Sequence, residues 1–209
     1  MSVRLEEKAQ CQPCGRGRLV SFVTLLICVV GPGFGSARAQ IAVSGGGYAQ
    51  NFNSLATSGT NHPWTDNSTL PGWYASRTIG GPAVTTYSAG TGSDNAGALY
   101  GFGSTGSSER SLGSVASGTP GNFAYGVRFT NDTAVALTNI LISYIGKQWR
   151  NGGNTSPQTL AFSYRINGSA ITNSDAANAN SWTSFSALDF VTPTVGATAS
   201  ALDGNASPN

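Results

Sequence analysis

The run NFAYGVRFTND, residues 122–132, sets Phe123, Tyr125, Val127 and Phe129 at every second position, with Ala124, Gly126, Arg128 and Thr130 between them. A period of two belongs to a β-strand with one apolar and one wet face, because successive side chains leave an extended backbone on opposite sides. A helix would scatter these side chains around its circumference. The run TLAFSYRING, residues 159–168, repeats the pattern, with Leu160, Phe162, Tyr164 and Ile166 against Ala161, Ser163, Arg165 and Asn167. Between the two, LTNILISYIGKQWRNGG, residues 137–153, is apolar on both faces around Ile140 to Ile142 and turns polar at Gly146. That pattern predicts a central strand.

Weaker strand patterns cover 48–55, 73–77, 83–88, 98–102, 111–116 and 182–191, and nearly every gap holds Gly, Asn, Asp, Ser or Pro. Those residues accept turn dihedrals. No helical period follows Gln40. About nine short strands with many turns predict an all-β fold, an antiparallel two-sheet sandwich of jelly-roll type. On that reading YGFGSTGSSERSLGSVASG, residues 100–118, is a hairpin connection, with Tyr100 and Phe102 closing one strand and Leu112 and Val115 opening the next.

The N-terminal end is of another kind. In GRGRLVSFVTLLICVVGPGFGSARAQ, residues 15–40, Arg16 and Arg18 precede an uncharged run from Leu19 to Val30, followed by a Gly/Pro break and Ala37-Arg38-Ala39. This order predicts a secretory signal peptide over 1–39, cleaved between Ala39 and Gln40, and a secreted or cell-surface product. The twelve-residue apolar run falls short of the roughly 20 residues that cross a bilayer, so no membrane span is expected in the mature chain. Cys11, Cys14 and Cys28 all lie in this leader. The exported chain is then free of disulfides, and its stability must come from packing.

Removing the leader takes Arg4, Lys8, Arg16, Arg18 and Arg38 with it and leaves six basic side chains against seven acidic ones. A near-neutral chain lacks the basic footprint of a nucleic-acid partner. The remaining 170 residues suit a single sandwich domain over 40–209.

Chemical motifs are sparse. Glu109 is the one glutamate beyond the leader, and its neighbour Arg110 is expected on the opposite face of a strand. Glycoside hydrolysis needs two placed carboxylates, so a solvated turn charge is the simpler reading. His62, the single histidine, has no partner at metal-binding or general-base spacing. No catalytic residue is assigned, and no cofactor is expected beyond a structural calcium, for which Asp132, Asp203 and Asn205 offer turn oxygens. Such a site wants six to eight oxygens.

The aromatic residues carry the binding expectation. Trp64, Trp73 and Tyr74 cluster around a Pro-containing loop, and Trp149 with Arg150 ends a strong strand. Flat rings at a sandwich rim stack on sugars, with arginine and amide side chains supplying hydrogen bonds; equally, such rings cap a core end.

Taken in order, AQNFNSLATSG, LPGWYAS, YGFGSTGSSERSLGS, YGVRFTNDT, ISYIGKQWRNGG, QTLAFSYRING and FSALDF with ALDGNAS resemble an exported bacterial β-sandwich surface module. Modules of this kind occur in PEP-CTERM-sorted proteins and at the N-terminal end of some extracellular nucleases. The resemblance spans 48–207 and implies a surface location. Similar proteins run on past the Asp-Gly-Asn segment into further strands, so the chain is expected to be C-terminally truncated. Three roles stay open: a non-catalytic module binding polysaccharide or another extracellular polymer, a purely structural segment of a larger surface protein, or an accessory domain of an extracellular hydrolase or nuclease.

Overall fold

The computed structural model describes residues 2–8, 23–24, 41–178 and 181–206. The basic and apolar parts of the expected leader, its three cysteines and the expected cleavage point lie outside these residues, apart from two short strands. In chain order the strands are β1 (Ser2–Lys8), β2 (Val23–Thr24), β3 (Ile41–Ala42), β4 (His62–Pro63), β5 (Trp73–Arg77), β6 (Thr86–Gly90), β7 (Ala98–Phe102), β8 (Ser111–Val115), β9 (Phe123–Thr130), β10 (Asn139–Ile140), β11 (Arg150–Asn151), β12 (Thr159–Arg165), β13 (Thr183–Ser184), β14 (Phe190–Val191) and β15 (Ser200–Ala201). The described chain is all β, with complete 3₁₀ turns at Val43–Gly45 and Ser186–Leu188. None of its helices is long and apolar enough to cross a membrane.

One sheet runs β12–β1–β9–β5, antiparallel throughout; β13 and β14 extend it beyond β12, and β3 adds a parallel pairing along Phe129 and Thr130. The other runs β4–β6–β7–β8. The expected alternation closes the interlayer between them: Trp73, Ala75, Phe123, Tyr125, Val127, Leu160 and Phe162 from the first sheet meet Tyr87, Leu99 and Leu112 from the second. The sandwich is therefore formed by the residues that the period of two selects.

The second sheet departs from a purely antiparallel plan, because β6 and β7 are parallel, Tyr87 opposite Leu99. The chain must run back the length of a strand between them, and the seven residues 91–97 suffice, since an extended chain covers about 3.4 Å per residue. Gly92 makes a corner of this return at φ +88°, where a Cβ would lie 1.7 Å from the Trp149 carbonyl oxygen.

Both sheets are also covered on their outer faces, against the expectation of a wet side. Arg128, placed by alternation on the solvent side, is 4% exposed. Its Nη1 donates to the Ile171 carbonyl at 2.7 Å, and its guanidinium lies 5.1 Å from the Tyr74 ring centroid. The segment 171–176 crosses this face on a short relay. The Ala176 amide donates to Ser76 Oγ at 2.7 Å, Ser76 and Ser174 hydroxyls meet at 2.8 Å, and Ser174 Oγ donates to the Ala124 carbonyl at 2.8 Å. Across the molecule, Tyr100 and Phe102 on the outer face of β7 stack at 4.9 Å, and Trp149 lies parallel to Phe102 at 6.3 Å. Gly204 closes over Trp149 so tightly that a Cβ there would stand 2.5 Å from the indole.

Three expected strands change. The run 48–55 forms turns, with Phe52 at φ +59°. The central strand expected around Ile140 to Ile142 shortens to β10, paired with β2, and beyond it Leu141 and Ile145 stand 68% and 71% exposed. The run 182–191 is split into β13 and β14 by the turn at Ser186–Leu188, which tucks Leu188 into the core.

Candidate functional cleft

The sandwich opens at one end into a cleft of about 510 Å³, within the range of small-ligand sites. Its floor is apolar, built by Phe52, Trp73, Leu112, Tyr125, Leu160 and Phe190, and its rim carries Gln50, Asn51, Asn53, Glu109, Ser143 and Lys147. The floor exists because β5, β9 and β12 aim their inward side chains at this end, whereas the rim comes from irregular segments.

Phe52 presents its ring edge-on to Trp73, centroids 4.9 Å apart at 76°. A positive φ at a bulky residue costs roughly 1–3 kcal/mol and persists only where the surroundings enforce it. Here a local bond and a distant one enforce it: Asn51 Oδ1 accepts from the Asn53 amide at 3.1 Å, and Asn53 Oδ1 accepts from the Arg110 amide, 57 residues on, at 3.0 Å. From the floor, Trp73 Nε1 donates to the Tyr48 hydroxyl at 2.8 Å, and that hydroxyl donates to Gln50 Oε1 at 2.9 Å. Burial raises the Tyr48 phenol, so it remains a donor at neutral pH.

Glu109 and Arg110, expected on opposite faces of a strand, lie instead in the irregular segment just before β8 and divide between surface and interior. Glu109 is exposed on the rim; Lys147 donates to its Oε1, and Asn205 Nδ2 donates to its Oε2 at 3.2 Å. The contact joins the loop 103–109, the segment at Lys147 and the chain near Asn205. Arg110 is 2% exposed and donates to the carbonyls of Ser107 at 2.7 Å, Thr57 at 3.3 Å and Gly101 at 3.4 Å. Burial lowers its pKa, yet an arginine stays protonated at working pH. It acts as a staple for backbone carbonyls, as Arg150 does toward Gly92 and Ser93 at 3.1 and 3.2 Å.

The tryptophans do not form a common stacking platform. Trp64 is 3% exposed, with Nε1 donating to Asp66 Oδ1 at 2.8 Å and its ring edge-on to Tyr87. Trp149 is 2% exposed in the separate cluster on the outer face of the second sheet, and Tyr74 is buried beneath Arg128. Arg150 is held in β11 opposite Ala201. Of the five residues expected to bind, Trp73 alone lines the cleft. A sandwich covered on both outer faces has more interior to fill, and large rings fill it.

The oxygens proposed for calcium serve as turn acceptors. Asp132 takes the Ser44 amide at 3.0 Å and the Ser44 hydroxyl, which together hold its carboxyl below the usual range. Asp203 takes the Asn205 amide at 3.0 Å, while Asn205 Oδ1 faces the Lys147 ammonium, an unfavourable neighbour for a cation. Among the described residues no group of three or more His, Cys, Asp or Glu side chains converges. His62 Nε2 donates to the Ser58 carbonyl at 2.8 Å, and its ring packs on Tyr87.

Sequence reasoning named Trp73 and Glu109 but missed Phe52, Tyr125 and Lys147 as their neighbours. The amide-rich stretch QNFN, residues 50–53, was the available signal: polar groups flanking one ring, without a strand's alternation once the turns are seen. No family model matches the chain, and neither a curated protein nor a solved structure is similar to it.

Proposed function

We infer that this chain is an exported, non-catalytic surface module whose cleft holds an uncharged stretch of an extracellular carbohydrate polymer. The observation that carries the reading is the pairing of an aromatic floor, Trp73 and Phe52, with the amide rim of Gln50, Asn51 and Asn53. Sugars present apolar C–H faces to rings and hydroxyls to amides. The rim charges Glu109 and Lys147 are paired with each other, which favours a neutral ligand over a polyanion. Among the described residues Glu109 is the single carboxylate lining the cleft, and one carboxylate does not make the pair that glycoside hydrolysis uses. Export rests on the leader pattern, and placement among exported surface modules rests on the resemblance of residues 48–207.

A purely structural role is the second reading, favoured by the burial of Trp64, Trp149 and Trp182. The full chain applied to a glycan array and to insoluble polysaccharides separates the two. Binding is expected, with Ser143→Trp abolishing it by filling the cleft from an exposed position. Gln50→Ala should weaken it about fivefold, the equivalent of one hydrogen bond of about 1 kcal/mol. Absence of retention on every glycan would leave the structural role.

A further inference from the structure

β1 lies between β9 and β12 and is antiparallel to both, with Val3 opposite Val127 and Tyr164, and Leu5 opposite Tyr125 and Phe162. It is the element that joins the two halves of the first sheet. The export part of the proposed function, on which this inference rests, removes β1 with the leader. β9 and β12 would then face each other across two inter-strand spacings, about 9.5 Å. A slot lined by unpaired backbone on both sides offers a strand two ladders of hydrogen bonds, where a sheet edge offers one.

We propose that this slot is a strand-acceptor site, which after export receives an extended peptide segment of a partner protein in the register of β1. The borders define the chemistry of that segment. Positions opposite Tyr125 and Val127 share the interlayer face, flanked there by Phe162 and Tyr164, so both must be apolar. Positions opposite Ala124 and Gly126 lie on the outer face beside residues with almost no side chain, and Glu6 and Arg4 hold those register positions in β1. The site therefore selects an apolar-x-apolar strand of about seven residues, the length at which β1 pairs with β12. The leader segment keeps the slot closed before processing.

The test uses the full chain with a protease sequence inserted between residues 9 and 40. After cutting, excess fluorescent peptide of sequence Ser2–Lys8 should exchange into the protein and co-elute with it, while the same peptide carrying Val3→Asp and Leu5→Asp should not. Removal of the cut N-terminal piece should lower hydrogen-exchange protection about tenfold or more across 123–128 and 159–165, and the wild-type peptide should restore it. Equal behaviour of the two peptides, unchanged protection after the piece has left, or a dimer of cut chains that the peptide does not dissociate would overturn the proposal. The N-terminal residue of the exported protein tests export separately. Gln40 with failed peptide exchange defeats the slot alone, whereas retention of Ser2–Lys8 defeats the export reading and leaves the slot permanently filled.

Discussion

Replacing Arg110 by alanine removes a buried cation whose three hydrogen bonds all end on backbone carbonyls. The bond to Ser107 at 2.7 Å is short and charge-assisted, worth about 2 kcal/mol, and the two at 3.3 and 3.4 Å are near the limit of useful geometry, about 0.5 kcal/mol each. The expected loss is about 3 kcal/mol, a large part of the 5–15 kcal/mol typical of a domain. With an m-value of about 2 kcal/mol/M the urea midpoint of the full chain should fall by about 1.5 M. Arg110→Lys should recover less than half of this, because an ammonium is a compact charge that cannot reproduce the guanidinium fork. The loop 103–109, whose Ser107 carbonyl the guanidinium holds, should lose exchange protection first. A midpoint for Arg110→Ala within about 0.25 M of wild type, equivalent to about 0.5 kcal/mol, would refute the staple. A lysine variant as stable as wild type would refute the geometric part of the argument.

Asp66 Oδ1 accepts from both Trp64 Nε1 and the Ala75 amide, while burial raises its carboxyl above the usual range. Its ionised form is thus disfavoured in the fold, and stability drawn from this group falls as pH rises from the ordinary carboxylate value through the raised one. Asp66→Asn keeps both acceptor contacts, so it should gain on wild type between pH 3 and pH 7 in urea titrations, whereas Asp66→Ala should lose about 2–4 kcal/mol at either pH. Gly92→Ala, which sets a Cβ against the Trp149 carbonyl at positive φ, should abolish a cooperative transition. Gly106→Ala, at φ +77° in open space, should cost only about 1–2 kcal/mol by thermal unfolding. Trp73→Phe keeps a ring on the cleft floor but drops the bond to Tyr48. It should lower stability by about 1 kcal/mol and weaken glycan binding by less than Ser143→Trp does.

The alternation of β9 and β12 was legible because each inward side chain, Phe123, Tyr125 and Val127 in one run and Leu160 and Phe162 in the other, declares its face locally. What covers the opposite face was not. Arg128 and Tyr74 are buried by 171–176, and Phe102 by Trp149, segments 43 or more residues away in sequence. No local period encodes such a meeting. The apolar stretch around Ile140 to Ile142 misled for a related reason. Hydrophobic content alone predicts a central strand, yet a strand needs neighbours to pair with, and the described ones pair only with Asn139 and Ile140. The cleft was half legible: Trp73 and Glu109 were visible as candidates, but the turn geometry that places Phe52, and the contact that brings Lys147 to Glu109, arise from folding at a distance.

The burial of all four tryptophans is the point on which the account stands, since it assigns them to the packing of the sandwich and leaves Trp73 alone among them at the cleft. Iodide quenching of the native full chain tests it directly. The account predicts blue-shifted emission that resists the quencher until denaturant is added. Native emission as accessible to iodide as that of the unfolded chain would contradict it.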